Sequence, residues 1–325
     1  MVMSQTLYRA LKKRQPDLAI DVLAPAWSEP LLAAMPEVRQ AIVMPLGHGQ
    51  FDFNVRRRLG KSLRGERYRQ AIVLPNSWKS ALVPWFANIP QRTGWKGEAR
   101  YGLLNDMRVL DKSRYPFMIQ RYVALSNAIG KAPQQLQDID WPELQVSQEE
   151  KSAAAESLGL SAADSMLALC PGAEFGPAKR WPESHYAKVA ERRIGNGQKV
   201  LIFGSAKDAS VAENIRALLP AACREHCINL AGKTSLSEAI HAMALCDSAV
   251  SNDSGLMHIA AALGLPLVAV YGSTSAGFTP PLGNKARALS IPVDCGPCFE
   301  RVCPLQHMKC LTQLQPEKVL AALGQ

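Results

Sequence analysis

The chain has 325 residues, of which 47% are hydrophobic and 20% charged, and a formal net charge of +9. At roughly 100–200 residues per domain this suits two globular domains and argues against a largely disordered chain. No apolar run approaches the ~18 residues of a membrane span, and Met1-Val2-Met3-Ser4-Gln5 lacks a basic and apolar leader, so a cytoplasmic protein is expected.

Apolar runs of strand length alternate with helical patterns along the whole chain. The first half predicts helices at 4–14, 28–35, 77–87 and 117–129, with strands at 18–23, 41–44 and 71–74. Residues 131–142 are rich in Gln, Pro and Asp without periodicity and read as a linker, after which Ser147 and Glu150 form a capping box. The second half predicts strands at 166–170, 199–203, 248–250 and 267–271, and helices at 184–194, 209–219, 236–245 and 256–263. The expected fold is α/β, with two doubly wound Rossmann-like domains, 1–142 and 143–325, facing a cleft at the carboxyl ends of their strands. From the second domain, loops 172–180, 204–208, 252–255 and 272–275 would feed that cleft, placing Gly172, Gly204 and Asp208 among the ligand-binding candidates.

The most informative turn is Ser251-Asn252-Asp253-Ser254-Gly255-Leu256-Met257-His258. A buried strand passes directly into a helix there, and unpaired amides at a helix N-terminus stabilise a phosphate or diphosphate. Gly255 would let a ligand approach the backbone, Ser254 adds a hydroxyl, and His258 lies one turn on; the alternative is a plain capped helix with Asp253 as N-cap. In 171–182, Gly172 and Gly176 would let the backbone curl around a ligand while Lys179 and Arg180 bring positive charge, or the loop is rigid with a surface cation pair. Gly232-Lys233-Thr234 is not a Walker A ending, since Cys227 occupies the first glycine's place, and no G-x-G-x-x-G dinucleotide fingerprint is present.

Cys295, Cys298, Cys303 and Cys310 form a C-x2-C-x4-C-x6-C cluster that could hold a structural metal, remain as thiols or a disulfide-like clamp, or act in redox chemistry. Cys170, Cys223, Cys227 and Cys246 read as core fillers, and the six histidines assemble no Ser-His-Asp triad. The positive charge requires an anionic partner. It crowds the first half, at Arg56, Arg57, Arg58, Lys61, Arg64, Arg67 and Arg69 and onward through Lys79, Arg92 and Arg100, without a nucleic-acid-binding motif, so no nucleic-acid partner is expected.

Taken together, Leu46-Gly47-His48-Gly49, Leu74-Pro75-Asn76-Ser77, Arg92-Thr93-Gly94-Trp95, 100–106, 170–182, Phe203-Gly204-Ser205-Ala206-Lys207-Asp208 and 252–258 make the chain resemble the lipopolysaccharide heptosyltransferases, which are GT-B glycosyltransferases. The resemblance spans nearly the whole chain. It implies transfer of L-glycero-D-manno-heptose from ADP-heptose to a heptose of the lipid A-linked inner core, with no cofactor required. Asp253, Ser254, Gly255, His258 and Lys179 then line the donor. Asn76, Lys79, Arg92 and Arg56 are candidates for the anionic acceptor, with peripheral contact at the anionic inner membrane. Family members begin with a strand and a Gly-Asp-Met turn whose Asp is taken as the general base, and Met1 falls just after that place. On this reading the first strand of the N-terminal domain and the base are missing. Weak donor binding and poor transfer are then expected, the alternative being a catalytically silent ADP-sugar- or lipopolysaccharide-binding form.

Overall fold

The computed structural model describes residues 1–47, 49–161 and 163–324 and divides into two compact units. The first comprises Met1, Met3–Ala33 and Glu37–Asp140; the second comprises Val2, Ala34–Pro36 and the chain from Trp141 on. Among the described residues, no helix is long and apolar enough to cross a membrane.

In the first unit, β1 (Asp21–Pro25) pairs in parallel with β2 (Gln40–Met44), and β3 (Gln70–Val73), β4 (Gln91–Trp95) and β5 (Asp106–Arg108) form a separate parallel sheet. Leu7, Tyr8 and Leu11 of the helix Gln5–Arg14 are buried, one apolar stripe at helical spacing. A helix at Phe53–Ser62 was not expected, because its run of cations hides how few positions face inward. Asp52 caps it by accepting from the Val55 amide at 2.9 Å, and Arg56 and Gly60 face inward. A Cβ at Gly60 would stand 2.4 Å from the Phe86 Cβ and 2.7 Å from the Val83 carbonyl, so only glycine lets this helix lie against Leu82–Phe86. Arg100, counted in sequence with the surface charge, is fully buried: its guanidinium donates to the carbonyls of Pro75 and Trp95.

The second unit carries one six-stranded parallel sheet. Its strands are β6 (Met166–Cys170), β7 (Lys199–Ile202), β8 (Cys227–Asn229), β9 (Ser248–Asn252), β10 (Leu267–Val270) and β11 (Ala286–Leu289), ordered β11-β10-β9-β6-β7-β8. That is the doubly wound arrangement in which the chain reverses direction across the sheet between β6 and β9, and ligands bind outside the carboxyl ends at that switch point. Every residue of β6, β9 and β10 is buried, the mark of a parallel sheet covered on both faces. The expected strands are all present, whereas β4, β5, β8 and β11 were missed. Gln91, Arg92, Asp106, Arg108, Asn229 and Arg287 interrupt those four, leaving no apolar run to read.

Candidate functional site

At the switch point, the loop after β6 and the turn after β9 are tied together by buried side chains. Asn252, fully buried at the end of β9, donates from Nδ2 to the Pro171 carbonyl at 2.6 Å and accepts at Oδ1 from the Trp181 amide at 3.1 Å and the Tyr186 hydroxyl at 2.9 Å. Trp181 donates its indole N–H to the Leu314 carbonyl at 2.8 Å and meets the Tyr186 ring edge-on at 5.1 Å. All four hydrogen-bonding positions are buried, so the loop that carries Lys179 is fixed before any ligand arrives.

Lys179 Nζ lies 2.5 Å from Asp253 Oδ2, and both side chains are largely buried. Thr274 donates to the same oxygen at 2.7 Å. Lys179 thereby neutralises the Asp253 carboxylate, and Asp253 in turn holds the ammonium in place. Lys179 Nζ also stands 4.9 Å from the centroid of the Phe175 ring, with the Arg301 guanidinium carbon 5.5 Å from the same centroid.

The helix Gly255–Ala262 is capped by Ser254, not Asp253: Ser254 Oγ accepts from the Met257 amide at 3.4 Å. A Cβ at Gly255 would meet nothing within 4 Å, so the space before the helix N-terminus is open. Amides facing open space at the positive end of a helix dipole suit an anion. His258 is half-buried, and desolvation lowers its imidazole pKa to about 4, against the opposing pull of Asp253. It is therefore neutral at pH 7, able to donate one hydrogen bond and accept another.

Gly172 and Gly204 both lie against Asp208. Cβ atoms there would stand 2.7 and 2.8 Å from the Asp208 side chain, so glycine at both positions makes room for it. Asp208 accepts from the Ser205 amide at 3.0 Å and the Ser205 hydroxyl at 2.7 Å and faces Arg180 at 3.7 Å, which locks loop 204–208 against loop 171–180. Gly176 is likewise needed for a close approach: its Cβ would fall 2.4 Å from the Arg301 carbonyl, which accepts from the Ala178 amide at 3.1 Å.

In the first unit, Asn76 is exposed, and its carbonyl accepts from the Glu98 amide at 3.1 Å. Lys79 Nζ reaches toward the Gly49 and Gln50 carbonyls at 3.5 and 3.4 Å. Two acceptor candidates turn inward. Arg56 is buried and donates to the Lys79 carbonyl at 3.2 Å, and Arg92 donates to the Leu103 and Ile89 carbonyls at 2.6 and 2.5 Å. Both act as braces of the main chain in this structure. His48, from the Leu46–Gly49 motif, lies outside the described residues.

The four C-terminal cysteines line one small apolar cavity with His307, but all eight cysteines of the chain are free. Among the described residues, no group of three or more His, Cys, Asp or Glu side chains is placed to hold a metal ion, so the expected structural metal finds no support. The thiols are not equivalent: amides of the 305–308 turn, led by Met308, lower the Cys303 pKa, while desolvation, aided by the other three cysteines, raises that of Cys310. Phe175 and Thr274 lie within the expected ligand loops 172–180 and 272–275 but were not singled out there, and no sequence signal marked Arg301.

The family model described as "Glycosyltransferase family 9 (heptosyltransferase)" matches residues 56–309. Lipopolysaccharide heptosyltransferase 2 of Salmonella typhimurium is 56% identical over 90% of this chain and 84% of its own length. The Escherichia coli protein of the same name is 52% identical over 100% of this chain and 94% of its own. The structure titled "Structure of E. coli ADP-heptose lps heptosyltransferase II" superposes with a TM-score of 0.88 at 50% identity, covering 99% of this chain and 93% of that one. All three carry transferase names, so the silent-binder alternative draws no support from them.

Proposed function

The chain belongs to glycosyltransferase family 9, the heptosyltransferases, and from that premise we propose that it moves heptose from ADP-heptose onto the heptose of a lipid A-linked inner core, with inversion at the sugar carbon. It is a GT-B glycosyltransferase of lipopolysaccharide core assembly. The donor is inferred from the solved E. coli relative, an ADP-heptose heptosyltransferase by name, and from the site chemistry. In the reaction an acceptor hydroxyl attacks the sugar carbon, a base takes its proton, and the bond to ADP breaks with its electrons passing to the diphosphate.

The observation that carries this reading is the pairing of Lys179 with Asp253 at 2.5 Å beside the open N-terminus of Gly255–Ala262. A leaving diphosphate gains negative charge as the glycosidic bond breaks, and a fixed ammonium together with helix amides stabilises it. On binding, Lys179 would divide its hydrogen bonds between Asp253 and the phosphate oxygens. Ser254 would add its hydroxyl and neutral His258 one N–H, none of which adds a competing anion. Asn76 and Lys79 are assigned to the acceptor side, which takes its substrate at an anionic membrane face.

Incubation with ADP-heptose and a heptose-terminated, lipid A-linked acceptor should release ADP in step with a gain of one heptose in acceptor mass. The new linkage should have the opposite anomeric configuration to the donor. Turnover of UDP-sugars in preference to ADP-heptose, or a retained anomer, would overturn the reading.

A further inference from the structure

We infer that the helix Phe53–Ser62 and the adjoining Trp78–Phe86 corner form a docking face for an anionic lipid bilayer; the inference rests on the reading that the acceptor is membrane-bound. Four large aromatic side chains are exposed here: Phe51 at 49%, Phe53 at 47%, Trp78 at 39% and Trp85 at 42%. They form connected groups. Phe51 packs on Trp78 with ring centroids 5.1 Å apart, and Phe53 and Trp85 both meet the buried Phe86, at 5.3 and 4.8 Å. Exposed apolar residues scattered singly need no explanation, but a cluster of four aromatics beside one charged helix does.

The charge lies on the same helix. Phe53, Arg57 and Lys61 follow one another at i, i+4 and i+8 along one side, and Arg58 and Arg64 extend the exposed cations. No acidic residue occurs between positions 53 and 64. The acids that border this face each have a hydrogen-bond or ion-pair partner: Asp52 caps the helix, Glu98 accepts from the Trp78 amide at 2.9 Å, and Glu66 lies 3.9 Å from Arg39. Arg64 donates to the Phe86 carbonyl at 2.9 Å, which fixes a cation at the edge of the aromatic cluster. Aromatic rings settle at the level of lipid headgroups, and Lys and Arg are drawn to the negative potential of anionic lipid. A helix with cations along one side and aromatics at its border suits a protein lying on such a surface without spanning it.

Vesicle co-sedimentation tests the proposal. The full-length protein should partition onto phosphatidylcholine vesicles containing phosphatidylglycerol and several-fold less onto phosphatidylcholine alone. R57Q/K61Q should bind the anionic vesicles about thirtyfold more weakly, from roughly fivefold per cation. F51S/W85S should lose about tenfold, with an unchanged melting temperature and unchanged transfer to a deacylated, water-soluble acceptor. The single variants R57Q and W85S make the same comparison at smaller amplitude if a double variant melts early. Equal partitioning of wild type and variants would overturn the proposal. So would wild-type binding only to vesicles that carry the lipid A-linked saccharide, because the face would then recognise the acceptor and not the bilayer. Partitioning needs neither donor nor turnover, so failure of heptose transfer would sink the proposed activity and leave this result standing.

Discussion

The two units solve opposite problems. In the second, the chemically important side chains are locked from behind: Asn252 holds Pro171, Trp181 and Tyr186, Asp208 joins two loops, and Asp253 holds Lys179. In the first, most of the cations of 56–69 stand exposed on short elements, and those that turn inward, such as Arg56, brace the main chain. A leaving diphosphate is small and gains charge at one place, so it favours a fixed electrostatic site. A lipid surface is broad and offers many anionic groups, and exposed cations of the kind proposed to dock on it need no fine placement.

The largest test of this contrast is a tryptophan in each unit. Trp181→Ala removes a fully buried ring and the bond to Leu314, and should destabilise the second unit by about 3–5 kcal/mol in denaturant unfolding. Trp85→Ala, at an exposed position, should cost less than about 1 kcal/mol. Comparable losses would break the contrast. Next, Lys179→Ala should lower kcat/KM for heptose transfer by roughly 10²–10³-fold, as expected when one preorganised group on a developing anion is lost. Lys79→Ala should cost far less and act mainly on KM for the acceptor. Equal effects on kcat would show that the acceptor side is as finely set as the donor side.

His258 gives a smaller effect with a definite sign. Its folded pKa of about 4 lies below the ordinary 6.5, so between those values the unfolded chain holds a proton that the native chain does not. The contribution to stability is therefore complete above pH 6.5 and is lost as pH falls toward 4. The slope is at most about 1.4 kcal/mol per pH unit, less because the ring is only half-buried. His258→Asn should flatten the stability profile in that window, measured by denaturant unfolding from pH 4 to 7; an unchanged profile would mean that His258 is not desolvated.

How much was legible in the sequence follows the same division. Strands β6 and β10 announce themselves because both faces are buried and the apolar run is unbroken, whereas β9 is buried throughout but shows only Ala249 and Val250 as apolar signal. The helix Phe53–Ser62 does not, because Arg56 faces inward as a polar brace and Gly60 marks a close approach, neither of which adds to an apolar stripe. The turn 251–258 was recognisable as a strand passing into a helix, yet Asp253, offered as its cap in the alternative reading, is not the capping residue. Ser254 and Asp253 are both good capping residues, and only the distance from Asp253 to Lys179, 74 positions earlier in the chain, shows which one is committed elsewhere. The closeness of Gly172 and Gly204 to the Asp208 side chain was likewise not legible, since a glycine needed for a ligand and a glycine needed for a neighbouring side chain look alike in sequence.

The smallest effect concerns the thiols at the edge of the second unit. Cys303 sits where turn amides of 305–308 favour its thiolate, while Cys310 is held toward the neutral form by desolvation and its neighbours. Cys246 is buried and pushed far up, and burial pushes Cys170 up to about 12. The thiolate is the reactive species, so iodoacetamide at neutral pH should label Cys303 several-fold faster than Cys310, with Cys170 and Cys246 protected until the unit unfolds. Peptide mapping over time reads all four rates in one experiment. If Cys246 kept pace with Cys303, the second unit would open far more readily than its packed sheet implies, and the contrast between a locked second unit and an exposed cationic first unit would fail on its stronger half.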